Sequence, residues 1–186
     1  MGHGGTHDRA GVMKFAEYLS QIDDSHPMTT SREHIKRLCE TCVGSSGVIL
    51  ELGSHAGISA AAIAMAAPDA VIVAVDLCDA VPESSRVAYW ESLGLTNIRP
   101  VANDAGVFLL REKSVGNRFG VIFHDARHGE QVLGEYLLAA AMCRTLAIHD
   151  FEQLSHESQR LVCSVFSTVE RDADSIGREL FIGVNP

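Results

Sequence analysis

The chain has 186 residues, 46% of them hydrophobic, and a formal net charge of −9 at neutral pH, which suits one well-buried domain and is too short for two ordinary ones. The acidic balance argues against charge-driven nucleic-acid binding, because phosphate contacts need clustered Lys and Arg. The cysteine count is odd, five, which predicts a protein without disulfides. We see no secretory signal and no apolar run near the ~20 residues of a membrane span, which predicts a cytoplasmic protein without a membrane partner.

Two helical segments are predicted ahead of the first strand. Residues 13–30 carry apolar side chains at helical spacing. Thr30, with Glu33 three residues later, predicts a capping box that opens a second helix. We interpret residues 1–43 as an N-terminal extension that packs on the domain as a lid or a dimer contact, and residues 44–186 as the domain itself.

From there on, apolar strand segments alternate with helical segments. The strands are nearly continuous runs of Val, Ile and Leu, which is typical of a parallel sheet buried on both faces. We therefore predict an α/β fold: a Rossmann-like, doubly wound, mostly parallel seven-stranded sheet with helices on both faces. The predicted strands are 48–52, 71–76, 97–102, 119–125 and 144–149, with two more near Thr168 and Leu180, and the predicted helices are 59–67, 84–93 and 130–142.

The most specific motif is a strand-to-helix turn with two glycines, which reads E-L-G-S-H-A-G from Glu51 to Gly57. Gly53 can adopt a positive φ, Gly57 can let the helix approach the strand, and free backbone N–H groups at the helix start face a ligand. The next strand ends in Asp76, about 20 residues later, where such folds place a carboxylate on ribose hydroxyls. Together these features predict a ribose-bearing ligand.

Two cofactors share this arrangement. Dinucleotide enzymes carry Gly-x-Gly-x-x-Gly, but here the middle position is His55, whose side chain would obstruct a pyrophosphate. Glu51 would also repel a diphosphate, whereas it suits the cationic amino-acid end of S-adenosylmethionine. S-adenosylmethionine is therefore favoured over NAD, and an NAD-dependent oxidoreductase is the least favoured interpretation.

With these residues the chain resembles the class I S-adenosylmethionine-dependent methyltransferases. The segment 97–105 is similar to their third strand, and residues 119–128, reading F-G-V-I-F-H-D-A-R-H, resemble the Phe-Ile-Asp-Gly-Asp-His pattern of the catechol-type O-methyltransferases. The resemblance implies methyl transfer, most simply O-methylation, to a small-molecule acceptor. The cofactor-binding residues predicted from the turn and the resemblance are Glu51, Gly53, Ser54, His55, Gly57, Asp76, Leu77, Asn103, Asp104 and Asp125.

In the catechol-type subgroup, carboxylates after the fourth and fifth strands hold a divalent cation. The resemblance implies that Asp125 and Asp150 are the corresponding ligands of Mg²⁺, which would orient an acceptor hydroxyl. This sequence departs from the subgroup's pattern at Ala126 and Arg127, where the subgroup commonly has Gly and a second acid, and at Phe151, where an Asn is expected. Either a metal assists the reaction, or the two acids orient a base.

Three histidines lie near the carboxyl ends of these strands and are candidate bases, because an imidazole titrates near neutral pH. His124 alternates with core positions and is interpreted as a packing residue, and His149 as a partner of hydrogen bonds across the sheet. His128 lies in the loop after the fourth strand and matches the His of the pattern. The predicted catalytic residues are His128, Asp125 and Asp150.

A second hypothesis belongs to a different class: a domain that binds S-adenosylmethionine as a sensor or partner subunit without catalysis. The altered pair Ala126 and Arg127 favours it, whereas His128 beside two carboxylates favours an enzyme. The sequence does not identify the acceptor. A thin substrate cap is compatible with a homodimer that completes the site.

Overall fold

The computed structural model describes residues 15–23 and 30–185. They form one sheet, whose first five strands are parallel, with helices packed against it. The strands are β1 (Val48–Leu52), β2 (Val71–Asp76), β3 (Ile98–Ala102), β4 (Phe119–His124), β5 (Cys143–His149), β6 (Thr168–Ala173) and β7 (Glu179–Val184). The helices are α1 (Phe15–Ser20), α2 (Arg32–Cys42), α3 (Ile58–Ala66), α4 (Glu83–Ser92), α5 (Ala105–Ser114), α6 (Leu133–Ala140) and α7 (His156–Ser164), with 3₁₀ turns at Glu130–Val132 and Phe151–Gln153.

The sheet has the strand order β3-β2-β1-β4-β5-β7-β6. Strands β1 to β5 pair in parallel, and β7 runs antiparallel to both β5 and β6. The strand order reverses between β1 and β4, and open α/β sheets form their ligand crevice at such a switch point. The predicted fold class, with seven strands over the described ranges, is confirmed.

Two cores cover the two faces of the sheet. Successive strand residues alternate between them, so that Ile49 packs with α2 and α3, whereas Leu50 packs with α5, α6 and α7. Helix α3 is rich in alanine, and its buried small side chains let the helix lie close to the strands. In the described part of the chain, no helix is both long enough and apolar enough to cross a membrane.

The start of α2 differs from the predicted capping box. The N-cap is Ser31, whose hydroxyl accepts a hydrogen bond from the backbone N–H of His34 at 3.3 Å. Glu33 is exposed in the first turn. Thr30 instead donates its hydroxyl to Asp125 Oδ2 at 2.8 Å, 95 residues away in the chain. The capping-box prediction was wrong by one residue because the Thr30 hydroxyl makes a tertiary contact.

The N-terminal segment packs on the domain, as predicted, where it is described. Tyr18 of α1 and Ile22 after it are buried in the core that also holds Ile35 of α2. The predicted helix over 13–30 is described only at residues 15–23 and Thr30, and the other residues of that prediction lie outside the described ranges. The division between residues 43 and 44 stays a prediction.

Two helical predictions need correction. The segment 130–142 is not one helix but a 3₁₀ turn followed by α6. Helix α5 was missed because its apolar residues do not mark one face: Val107 and Leu110 are 57% and 62% exposed. What starts α5 is the side chain of Asp104, which accepts a hydrogen bond from the backbone N–H of Val107 at 3.0 Å.

Candidate functional site

Three cavities follow the carboxyl edge of the sheet. The β1 cavity, about 330 Å³, lies beside the glycine turn and is lined by Ser54, His55 and Thr30 among others. The β2–β3 cavity, about 190 Å³, lies beyond the ends of those two strands. The β4–β5 cavity, about 300 Å³, lies where Asp125 and Asp150 follow their strands. Gly53 lines all three, so the cavities adjoin one another at the glycine turn, and we call them together the cleft.

Both glycines of the turn have positive φ, +91° at Gly53 and +81° at Gly57. A Cβ on Gly53 would lie 2.4 Å from the Cα of Ala126, in the loop after β4. A Cβ on Gly57 would lie 2.6 Å from Nε1 of Trp90, which donates a hydrogen bond to the Gly57 carbonyl at 2.9 Å. Gly57 does not line the three cavities, and its role in the structure is the close packing of α3 against α4.

Asp76 joins the two loops that flank the β2–β3 cavity. Its Oδ2 accepts the backbone N–H of His55 at 2.8 Å, and its Oδ1 accepts that of Cys78 at 2.7 Å. His55 and Cys78 are non-glycine residues with positive φ, +40° and +64°, a strained conformation that clusters at functional sites. Each Asp76 oxygen keeps a second lone pair for a ligand hydroxyl.

The far wall of the β2–β3 cavity holds Leu77, Asn103, Asp104 and Arg127. The Arg127 guanidinium lies 3.1 Å from Asp104 Oδ2 and 2.7 Å from Oε1 of Glu135 on α6. Arg127, at the position where the subgroup commonly has an acid, therefore occupies one oxygen of the carboxylate predicted to lie beside adenine. The sequence analysis missed Glu135, which no local pattern marks.

Glu51, at the end of β1, is fully buried, and neither of its carboxylate oxygens has a hydrogen-bond partner among the described residues. Burial raises the pKa of Glu51 to about 7, although the nearby Ser59 hydroxyl and Arg86 guanidinium partly offset this effect. Glu51 itself lines none of the three cavities, and it adjoins the β1 cavity through Ser59, which lines that cavity.

Arg86 on α4 is a second fully buried charge, and the sequence analysis missed it. One terminal nitrogen donates to the Ser54 hydroxyl, the other to the Cys78 sulfur at 2.7 Å, and Nε has no partner in the described part of the chain. The available signal was its spacing: Arg86 lies four residues before the buried Trp90, on the same helix face.

The β4–β5 cavity holds the His–Asp cluster, which consists of Asp125, His128, His149 and Asp150. His149 Nδ1 is 3.2 Å from Asp125 Oδ1 and 3.3 Å from Asp150 Oδ1. His128 Nε2 is 3.5 Å from Asp125 Oδ1 and 3.6 Å from Asp150 Oδ2. Thr30 donates a hydrogen bond from its hydroxyl to Asp125. The structure thus brings all three predicted catalytic residues together and adds His149 and Thr30.

The two carboxylates of the His–Asp cluster hold His149 as a cation. Burial alone would lower the pKa of His149, but its close contacts with the carboxylates of Asp125 and Asp150 raise that pKa to about 10. Burial alone would raise the pKa of Asp150, yet the hydrogen bond and charge of His149 bring it below its usual range. The pair of acids is therefore already bridged by a positive charge.

These residues do not fit the magnesium centre that the resemblance implies. Phe151, at the position expected to supply an amide ligand, is fully buried in the core with α5, α6 and α7. His149 Nδ1 lies between the two carboxylates where a cation would have to bind. Over the described ranges, no group of three His, Cys, Asp or Glu side chains is arranged to hold a metal ion. In this arrangement Asp125 and Asp150 are paired with His149 and are not set to ligate Mg²⁺.

His124 lies outside the cleft. Its side chain is fully buried, with Nε2 3.1 Å from Glu135 Oε2 and the ring edge-on to Tyr136. The packing interpretation thus agrees with the structure. Glu130, near the same loop, accepts hydrogen bonds from the Ser155 backbone and the Ser158 hydroxyl and so anchors the start of α7.

No protein-family model and no curated protein sequence matches the chain. Solved structures do match. The O-methyltransferase TomG from Streptomyces achromogenes, involved in tomaymycin synthesis and solved with S-adenosylmethionine, has a TM-score of 0.65 and 18% identity over 91% of this chain and 90% of its own. An O-methyltransferase from Bacillus cereus, solved with S-adenosylhomocysteine, has a TM-score of 0.60 and 16% identity over 86% and 84%.

A candidate S-adenosylmethionine-dependent methyltransferase from Streptococcus mutans has a TM-score of 0.60 and 12% identity, over 80% of this chain. The chain spans about half the length of that protein, 48%. At such identities the likeness is one of fold. The chain has the Rossmann-like fold of these methyltransferases.

Proposed function

We propose that the chain is an S-adenosylmethionine-dependent methyltransferase that methylates a hydroxyl group of a small-molecule acceptor. One observation carries the proposal: Gly53 lines all three cavities, so a cofactor bound at the glycine turn lies directly beside the His–Asp cluster. The fold of methyltransferases solved with this cofactor supports the same assignment.

The cleft suggests how the cofactor binds. The ribose hydroxyls donate to Asp76, and the adenine lies in the β2–β3 cavity between the exposed side chain of Leu77 and the Asn103–Asp104 segment. The methionine end would lie in the β1 cavity, with its carboxylate beside Ser54. Its ammonium would lie beside Ser59, on the side of the cavity nearest the buried Glu51. This arrangement directs the sulfonium methyl group towards the β4–β5 cavity.

Methyl transfer needs alignment and exclusion of water more than acid–base chemistry, because the sulfonium is already activated. The acceptor oxygen attacks the methyl carbon, the carbon–sulfur bond breaks, and its electron pair stays on sulfur. The hydroxyl proton goes to the imidazole of His128, which lines the β4–β5 cavity. Asp125 and Asp150 face Nε2 of the same ring, and this carboxylate–imidazole pairing orients the base.

Titration calorimetry tests the cofactor first. We expect S-adenosylmethionine to bind with micromolar affinity and NAD to bind more weakly. Gly53→Arg should abolish binding because its side chain cannot be placed without displacing the loop at Ala126 that borders the cleft. Added Mg²⁺ or a chelator should leave the affinity unchanged. Absence of S-adenosylmethionine binding, or tighter binding of NAD, would rule out the proposal and leave only the fold.

The second candidate function is a non-catalytic S-adenosylmethionine sensor, and the Arg127 contact to Asp104 favours it, because that contact can respond to the cofactor. The two functions differ in turnover. An enzyme converts S-adenosylmethionine to S-adenosylhomocysteine in the presence of an acceptor, and His128→Gln should slow this conversion by about 10²–10⁴-fold. His156→Gln, on the exposed start of α7, is the matched control.

A further inference from the structure

Two of the cavities share one stretch of wall. Four residues line both the β1 cavity and the β4–β5 cavity: Thr30, Gly53, His55 and Asp125. Gly53 and His55 follow β1 and Asp125 follows β4, whereas Thr30 comes from the segment before α2. In the proposed arrangement the sulfonium methyl group passes this wall on its way to the acceptor. A side chain at this wall can therefore act where the two ligands meet.

The two carboxylate oxygens of Asp125 face different partners. Oδ2 accepts the Thr30 hydroxyl at 2.8 Å, whereas Oδ1 faces His149 Nδ1 at 3.2 Å and His128 Nε2 at 3.5 Å. The backbone of Asp125 is fixed, because its N–H donates to the Leu52 carbonyl at 2.8 Å. Its carboxylate is freer, because the terminal torsion of an aspartate is broad. The Thr30 hydroxyl therefore limits the rotation of the carboxylate and keeps Oδ1 towards the two histidines.

Thr30 is held in place by the first turn of α2. It is buried and directly precedes the N-cap residue of that helix. His34, in the same turn, is fully buried, with Nε2 3.1 Å from the Asp172 carbonyl. The His34 ring also lies edge-on to His149, with ring centroids 5.3 Å apart. The turn thus meets the His–Asp cluster twice, at Asp125 through Thr30 and at His149 through His34.

We infer that Thr30 is a positioning residue of the His–Asp cluster, whose hydroxyl fixes the orientation of the Asp125 carboxylate. The orientation itself is a property of the fold, and its catalytic consequence rests on the proposed function. In that function, the carboxylate that faces Nε2 of His128 holds the imidazole in place for the proton of the acceptor hydroxyl. Without the Thr30 hydroxyl, Asp125 Oδ2 loses this donor, and the carboxylate turns away from the histidines for part of the time.

Two substitutions at this position separate the hydroxyl from the shape of the side chain. Thr30→Val keeps the branched shape and removes the hydroxyl, whereas Thr30→Ser keeps the hydroxyl. In NMR spectra of protein with isotope-labelled histidine, the Nδ1–H proton of His149 reports on the carboxylates. A proton held by a charged acceptor lies downfield and exchanges slowly with water. His149→Gln assigns this signal by removing it.

We expect Thr30→Val to move the His149 signal upfield and to speed its exchange with water about tenfold, because a hydrogen bond to a charged group is weakened. Thr30→Ser should restore both values. Thr41→Val is the matched control, because Thr41 also lies on α2 and its hydroxyl donates to the Leu38 carbonyl at 2.6 Å, away from the cluster. This variant should leave the His149 signal unchanged.

The outcomes separate this inference from the proposed function. An unchanged His149 signal in Thr30→Val overturns the inference. A Thr30→Ser variant that behaves like Thr30→Val also overturns it, because packing rather than the hydroxyl would then matter. If S-adenosylmethionine does not bind, the proposed function fails, while these spectra still decide the role of Thr30. In the conversion of S-adenosylmethionine with an acceptor, Thr30→Val should be slower than Thr30→Ser, and equal rates would overturn the catalytic part of the inference.

Discussion

At the scale of single residues, two opposite charges lie beneath the glycine turn. Glu51 and Arg86 are both fully buried, and neither forms a salt bridge within the described part of the chain. Burying an unpaired charge costs several kcal/mol per ion. A ligand that brings both an ammonium and a carboxylate to this turn, as an amino acid does, would offset both costs.

Glu51 should make cofactor binding depend on pH. The pKa of about 7 in the free protein should fall when an ammonium binds, so the affinity for S-adenosylmethionine should rise as the pH rises towards about 7 and then level off. Calorimetry in buffers of different ionisation enthalpy should detect proton release. In Glu51→Gln the affinity should be weaker and this rise should disappear. An unchanged pH profile in that variant would contradict the assignment.

Arg86 should act on the amino-acid end of the cofactor alone. Arg86→Met removes the donor to Ser54, and we expect S-adenosylmethionine affinity to fall about tenfold, while 5′-methylthioadenosine, which lacks the amino-acid end, keeps its affinity. Cys78→Ala removes the other Arg86 contact and serves as the control. Because removal of the large buried Arg86 side chain can impair folding, the smaller change Ser54→Ala is the second variant, and it should show the same difference between the two ligands.

At the scale of elements, the glycine turn and the loop after β4 depend on each other. A Cβ on Gly53 would meet the backbone of Ala126, whereas Gly116 has a similar φ of +78° with open space around it. Gly116→Ala should therefore cost only the left-handed strain, about 1–2 kcal/mol, and Gly53→Ala a further ~1–3 kcal/mol for the overlap. Urea unfolding of both variants measures the difference, and equal losses would contradict this argument.

The elements themselves were largely predictable. The first five strands were predicted to within a residue or so at each end, because buried parallel strands are continuous apolar runs. Helix α5 was not predicted because its apolar residues Val107 and Leu110 face solvent and so do not mark a buried helix face. The cap of α2 was placed one residue early because Thr30 has Glu33 three residues later, which is the capping-box pattern. Ser31 is the better capping residue by type, and the Thr30 hydroxyl binds the distant Asp125 instead.

At the scale of the whole molecule, the site residues at strand ends were predictable and their partners were not. Asp76, Asp125 and Asp150 follow apolar strands, and a parallel sheet brings such positions to one edge. Glu135, Arg86 and Thr30 contact the site residues through tertiary packing. No local spacing marks Glu135 or Thr30, and the spacing of Arg86 from Trp90 indicates its helix face but not its partners.

The charge on His149 should appear in the pH dependence of stability. The pKa of His149 in the folded protein, about 10, lies above its ordinary value of 6.5. The stabilisation of the fold by the His149 charge is therefore complete below pH 6.5 and is lost as the pH rises towards 10. We expect the free energy of unfolding to fall over this range by a few kcal/mol, since each pKa unit is worth about 1.4 kcal/mol. Denaturant titrations at several pH values should show that the free energy of unfolding depends much less on pH in His149→Gln than in the unmodified protein.

His156→Gln is the control for this measurement, because His156 is exposed at the start of α7. Its profile should follow that of the unmodified protein. A fall of equal size in His149→Gln would mean that other groups, such as thiols, cause the loss at high pH.

The hydrogen bond from Trp90 to the Gly57 carbonyl places a natural fluorescent probe beside the glycine turn. Trp90 is the one tryptophan in the sequence, and it is 2% exposed with the Arg86 guanidinium 6.0 Å from its ring. Its emission therefore reports on the field and hydrogen bonding of a single location. Stopped-flow fluorescence can thus time the response of the turn to a ligand without any label.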